Sequence, residues 1–136
     1  MSKESKLKKK KEKSRSIKVD INAIRALRIL GNKESFHFYE AIDKSTGQSA
    51  KSLHEFLDKL ETVKLESLVF HLERKDFKNW IANTLEDPAL AQKIEKIPIK
   101  HTNQLKTKIR ATVKARLKEL EETSMIQVEE PMTITI

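Results

Sequence analysis

The stretch Leu65–Leu85, LESLVFHLERKDFKNWIANTL, constrains the fold more than any other part of the chain. It holds the only Trp and two of the five Phe. It also holds two apolar rows at helical spacing: Leu65, Leu68, Val69 and Leu72, then Phe77, Trp80, Ile81 and Leu85. Rows of this kind lie along one side of a helix and bury together, so this is the densest source of core in the sequence. Asp76 is placed to cap the second row. Two short helices meeting near Arg74 and Lys75, or one helix bent there, are therefore expected.

The flanking segments read the same way. Ser52 followed by Glu55 is a capping box, and Leu53, Phe56, Leu57 and Leu60 then give an amphipathic helix. Asp87 and Pro88 open a helix carrying Leu90, Ala91, Ile94 and Ile97, which Pro98 ends. A longer helix is predicted from Gln104 to Glu122, with Leu105, Ile109, Val113, Leu117 and Leu120 on one side and the stem of Arg116 lying along it toward water. Asp20 can cap a helix from Ile21 to Leu30 closed by Gly31, whose apolar side would be Ile21, Ile24, Leu27 (or Arg28) and Leu30, leaving Arg25 and Arg28 outward. Ser35–Ile42, SFHFYEAI, fits a strand by propensity or the first turns of a helix equally well. Asp43–Gln48 reads as a polar turn around Gly47, and the segment after Thr123 as a loose tail or an edge strand.

The expected fold is thus all-α: a small orthogonal bundle of about five to six helices with a disordered basic N-terminal tail. Only two Gly and three Pro in 136 residues argue against sandwiches, barrels and glycine-rich phosphate loops. The domain plan is a Lys-rich arm over 1–16, a short helix and linker over 17–34, a helical domain over 35–122 and a tail over 123–136. No apolar run approaches the ~20 residues that span a bilayer, and lysines stand where a signal peptide needs its apolar stretch. With no Cys there is neither a disulfide nor a thiolate site, which suits a cytoplasmic protein.

Charge is unevenly laid out. The net +8 resolves into +7 over residues 1–18, +1 over 19–35, −3 over 36–95, +8 over 96–118 and −5 over 119–136. The arm holds Lys8, Lys9, Lys10, Lys11, Lys13 and Arg15 with almost nothing apolar, too little to offset the entropy of ordering it. On the last helix Lys108, Arg110, Lys114 and Lys118 face away from the apolar side, and from Asn103 to Lys118 there is no acid at all. An ordinary solvated helix mixes signs.

Catalytic signatures are missing. No GxSxG, GxxxxGK or GxGxxG occurs. His37, His54, His71 and His101 lack metal-ligand spacing. His71 with Glu73, Arg74 and Asp76 is the one polar cluster beside the core; a salt-bridge and capping role outweighs a general-base role there. No enzyme activity, cofactor or metal is expected. Phe36, Phe38, Tyr39 and Trp80 could stack on bases if exposed, but Phe77 and Trp80 read as core, which leaves His37 and Tyr39 as surface contacts.

The order of residues also carries a resemblance. Phe36, Phe38 and Tyr39, Thr46-Gly47, Ala50, Ser52-Leu53 and Glu55-Phe56 begin it. Ser67-Leu68, Phe70-His71-Leu72, Arg74, Asp76-Phe77, Trp80-Ile81, Leu85, Asp87, Leu90-Ala91 and Ile94 complete it. Together they resemble a family of small domains of unknown function, known mainly from archaea, over roughly Ser35 to Leu120. The FHLxRxDFxxWI segment is the most specific part. Glu86 stands where similar sequences usually have Gly. The resemblance implies a compact helical domain and no activity, and it leaves Met1–Glu34 as an addition.

Charge layout then favours a non-enzymatic accessory protein bound to nucleic acid, RNA or the ribosome before DNA, through phosphate contacts of the arm and of Lys108, Arg110, Lys114 and Lys118. A protein-interaction module or self-associating scaffold is the alternative. Attachment to a membrane is not expected, since Leu7 alone could insert.

Overall fold

The computed structural model describes residues 20–134. Its elements, in order, are α1 (Ile21–Leu27), β1 (Phe36–Ala41), β2 (Lys44–Ala50), α2 (Leu53–Thr62), α3 (Leu65–Arg74), α4 (Asp76–Asn79), which runs on as a π-turn over Trp80–Thr84, α5 (Pro88–Glu95) and α6 (Asn103–Ile134). The fold is therefore mixed α and β, and the all-α expectation is corrected: β1 and β2 pair as an antiparallel hairpin.

The hairpin answers the question that SFHFYEAI leaves open. Phe36 and Phe38 are buried while His37 faces out, the period of two that a strand imposes. Its partner KSTGQSA has little strand propensity and reads as a turn, because most of it lies on the outer side and only Ala50 is fully buried. Side chains hold it instead. Thr46 donates to the Phe38 carbonyl at 2.9 Å and accepts from the Gln48 N–H at 3.0 Å. The register shifts around Tyr39, and the tight turn puts Asp43 at φ 61.

Both strand phenylalanines enter an aromatic cluster. Phe36 lies 4.9 Å from Phe38, 5.0 Å from Phe77 and 5.5 Å from Trp80 between ring centroids, mostly edge to face. Phe56 of α2 stacks on Phe38. The Trp80 indole N–H donates to the Glu34 carbonyl at 2.8 Å, fixing where the chain enters β1.

Most helices form where their apolar rows predict. Ser52 accepts from the Glu55 N–H, while Glu55 reaches back to the N–H of Lys51. Lys75, at φ 65, separates α3 from α4, so the central stretch is two helices meeting where expected. The α6 side chains Leu105, Ile109, Val113, Leu117 and Leu120 are all buried. This helix begins at Asn103 and continues past the expected end at Glu122 as far as Ile134, so a tail or edge strand starting at residue 123 is not what forms.

The N-terminal helix departs further. It ends at Leu27, short of Gly31, and it packs on α6 and α2 through Ala23 and Ala26. Ile21 and Ile24, expected on the buried side, are 64% and 48% exposed. Alanine lets two helix axes approach closely, and Leu30 completes the contact from an extended segment whose N–H donates to the Lys51 carbonyl at 2.7 Å.

The alternation along β1 sets unequal costs. Phe36→Ala is expected to destabilise the protein by about 3–5 kcal/mol, and Tyr39→Ala by less than about 1.5 kcal/mol. Urea unfolding followed by Trp80 fluorescence measures both, and equal losses would contradict the strand assignment.

Candidate functional site

Two places bring chemistry-bearing residues together. The first is the cluster around His71. Its position on the inner side of α3 buries the imidazole beside Phe36, 4.8 Å between ring centroids. Both ring nitrogens are committed: Nε2 accepts the backbone N–H of Tyr39 at 2.8 Å, and Nδ1 faces Asp76 Oδ2 at 2.8 Å. An acceptor at Nε2 requires the proton on Nδ1, so the ring is a neutral Nδ1–H tautomer. Burial pushes its pKa below the ordinary 6.5, with Asp76 opposing that shift.

Asp76 also accepts from Arg74 Nε at 3.0 Å, and the Arg74 guanidinium lies over the Phe70 ring, 5.2 Å from its centroid. The salt-bridge role expected for this pair is present, but the carboxylate makes no capping bond to α4. With its Nε2 occupied by a backbone N–H, His71 is not available to take a proton from a substrate.

The second place is α6. Lys108, Lys114 and Lys118 are exposed on its outer side, and among the described residues none of them forms an ion pair. Ala111 and Ala115 lie between them and leave the face open. Arg110 does not join this set. It is half-buried toward α2, where it pairs with Glu61 at 2.9 Å, and Lys106 donates to the Glu61 carbonyl at 3.0 Å. The remaining expected residues, Lys8, Lys9, Lys10, Lys11, Lys13 and Arg15, lie outside the described residues. His37 is exposed, with its ring nitrogen 3.2 Å from the Asn32 carbonyl, and Tyr39 is at the edge of the surface.

Two further ion pairs among the described residues are likewise not announced by the sequence. Arg116 was expected to reach water, and it instead binds Asp87 in a fork, Nε to Oδ2 at 2.9 Å and Nη2 to Oδ1 at 3.0 Å. Asp87, expected to cap α5, is only 4% exposed and spends its carboxylate on this contact. The hydrogen bonds that Arg116 donates to Asp87 keep it more firmly protonated than usual. Arg25 of α1 pairs with Glu86, whose carboxyl is thereby held below its ordinary range. The partners are 29 and 61 residues apart, and no local pattern announces them.

Set beside known proteins, residues 33–135 match the model of a family described as "Family of unknown function (DUF5752)". That is most of the chain, which therefore belongs to this family. No curated protein and no solved structure matches it. The matched region begins just before β1, so α1 lies outside it and is joined to it by Arg25–Glu86, by Arg28 donating to the Thr84 carbonyl at 2.7 Å, and by Leu30.

Two expectations follow from the buried contacts. His71 should titrate below 6.5 with its proton on Nδ1, as read by imidazole NMR. Because the unfolded chain takes up a second ring proton near 6.5 and the folded one does not, stability falls as pH drops from 6.5 toward the depressed value. A ring titrating at or above 6.5 would contradict the bond to Tyr39. Separately, Asp87→Ala leaves Arg116 half-buried without its fork and should cost about 2–4 kcal/mol, against less than about 1 kcal/mol for Glu61→Ala at the more exposed Arg110 pair, both by thermal or urea unfolding.

Proposed function

We propose that this member of the family is a non-enzymatic accessory protein that binds nucleic acid, RNA in preference to DNA, through its Lys-rich arm and the outer face of α6. A ribosome-associated, cytoplasmic role belongs to the same reading. The observation that carries it is that Lys108, Lys114 and Lys118 stand exposed on α6, within a stretch from Asn103 to Lys118 that has no acid, while the one arginine expected beside them is drawn off by Glu61. Unpaired surface cations release counterions when they meet phosphates, whereas a cation already held by a carboxylate gains less. Support also comes from α1, which packs against α6, the helix bearing these lysines. Tyr39 and His37 lie on β1, away from α6, and are not part of the proposed contact.

A second reading has its own observation. Ile21, Ile24 and Ile29 are exposed on and just after α1, Ile29 at 79%. Such residues suit association with a protein partner or with another copy of the chain. Sedimentation at rising concentration, compared with an Ile21→Ser/Ile24→Ser variant, tests the self-association form of it.

For the leading reading, the measurement is fluorescence-anisotropy binding to single-stranded RNA across a salt series. Replacing Lys108, Lys114 and Lys118 together by Gln should weaken binding uniformly across sequences and lower the log–log salt slope by about 2. Arg110→Gln should change the slope far less, and deleting residues 1–16 should lower it further. Salt-independent binding, or equal affinity in all variants, would remove the proposal.

A further inference from the structure

The groove between β1 and α3 has no part in the reading above. It is an open groove of about 570 Å³, a size that takes a small ligand. Tyr39, Ala41, Ile42 and Phe70 give it apolar walls, and Arg74 with Asp76 forms its polar side.

Arg74 is held in a way that a solvated arginine is not. Its Nε is taken by Asp76, which is itself fixed by buried His71, and its flat face rests on Phe70. Its two terminal nitrogens have no partner among the described residues, and the side chain is half-exposed at 51%. A guanidinium with its inner edge pinned and its outer edge open is set up to bind an oxyanion in a fork, with less entropy lost than by a free side chain.

Charge selects among oxyanions. Facing the groove are Arg74, Asp76 and Asp43, with His71 neutral and His37 at the margin. Arg74 and Asp76 nearly cancel, and Asp43 adds a negative rim. A dianionic phosphate would meet net repulsion there, whereas one negative charge is tolerated opposite the guanidinium. We infer that this groove binds a monocarboxylate attached to an apolar or aromatic body: the carboxylate on the Nη1/Nη2 edge of Arg74, the body against Phe70, Tyr39 and Ile42. A free organic acid and the C-terminal residue of a peptide present the same chemistry.

The test is an NMR titration of the full chain with phenylacetate, with 2-phenylethanol as its uncharged counterpart, with phenyl phosphate, and with a tripeptide ending in Phe as free acid and as amide. Phenylacetate or the free-acid peptide should shift Phe70, Tyr39 and the Arg74 Nε–H saturably, and which of the two binds tighter identifies the source. Arg74→Gln should weaken that binding by about tenfold or more, with Arg74→Lys in between because it keeps charge and loses the fork. Arg74 is half-exposed, so retained spectral dispersion in both variants establishes that they fold. Equal response to 2-phenylethanol or the amide, tighter phenyl phosphate binding, unchanged affinity in Arg74→Gln, or no saturable shift with any carboxylate overturns the inference. None of these outcomes bears on RNA binding by α6.

Discussion

A two-stranded hairpin is marginal by itself, and in this protein its hydrogen bond to α3 is made by one imidazole. His71 accepts the Tyr39 N–H with one nitrogen and meets Asp76 with the other, so a single buried ring joins β1, α3 and the start of α4. The bond falls where the hairpin register shifts, on either side of Tyr39. Without that acceptor, the Tyr39 N–H would lose a partner at a cost of about 1–3 kcal/mol, and Phe36 and Phe38 would lose the alignment that places them among Phe56, Phe77 and Trp80. The cost of burying a polar ring is therefore met by satisfying both of its nitrogens, and the same commitment removes it from acid–base chemistry.

How much of this could be read in advance depends on the range of the interaction. The capping box at Ser52, the break at Lys75 and the buried row of α6 are local, each fixed by residues within one or two turns, and each forms as its pattern implies. FHFYEA is local too, but aromatic residues at alternate positions satisfy a strand and a short amphipathic turn alike, and β2 is too polar to declare itself. What decides is tertiary: only as a strand do Phe36 and Phe38 point the same way, into the core. α1 misleads for another reason. Apolar periodicity weights Ile above Ala, yet close packing on α6 selects the small side chains Ala23 and Ala26 and turns Ile21 and Ile24 outward. The basic face of α6 is legible in sign but not in membership, since Glu61 removes Arg110 from it.

Asp87 and Glu86 are adjacent and opposite in kind. Asp87 is buried and bound in a fork, a geometry in which removing either partner strands a charge away from water. Glu86 is exposed, and its backbone sits at φ 61, a left-handed conformation that costs a residue with a Cβ about 1–2 kcal/mol. A Gly at this position would carry no such cost. An exposed ion pair is too weak to stabilise the position unaided. Its effect is positional: the carboxylate meets Arg25, and the helix that lies outside the family's matched region is tied to the turn after Trp80–Thr84.

That tie bears on how the two cationic parts can act together. Cations on separate flexible segments each lose orientational freedom on binding a phosphate chain, whereas cations whose supports are already packed lose it once, in folding. α1 is docked on α6, so under the proposed reading the chain leading back toward the arm departs from a helix already fixed against the one bearing Lys108, Lys114 and Lys118. The groove beside Arg74 is built from β1 and α3 and shares no side chain with that face. A ligand there would reach α6 only through the His71 bridge or the aromatic core. Both are closely packed and fully bonded, so the two surfaces should act independently unless Tyr39 and His71 part.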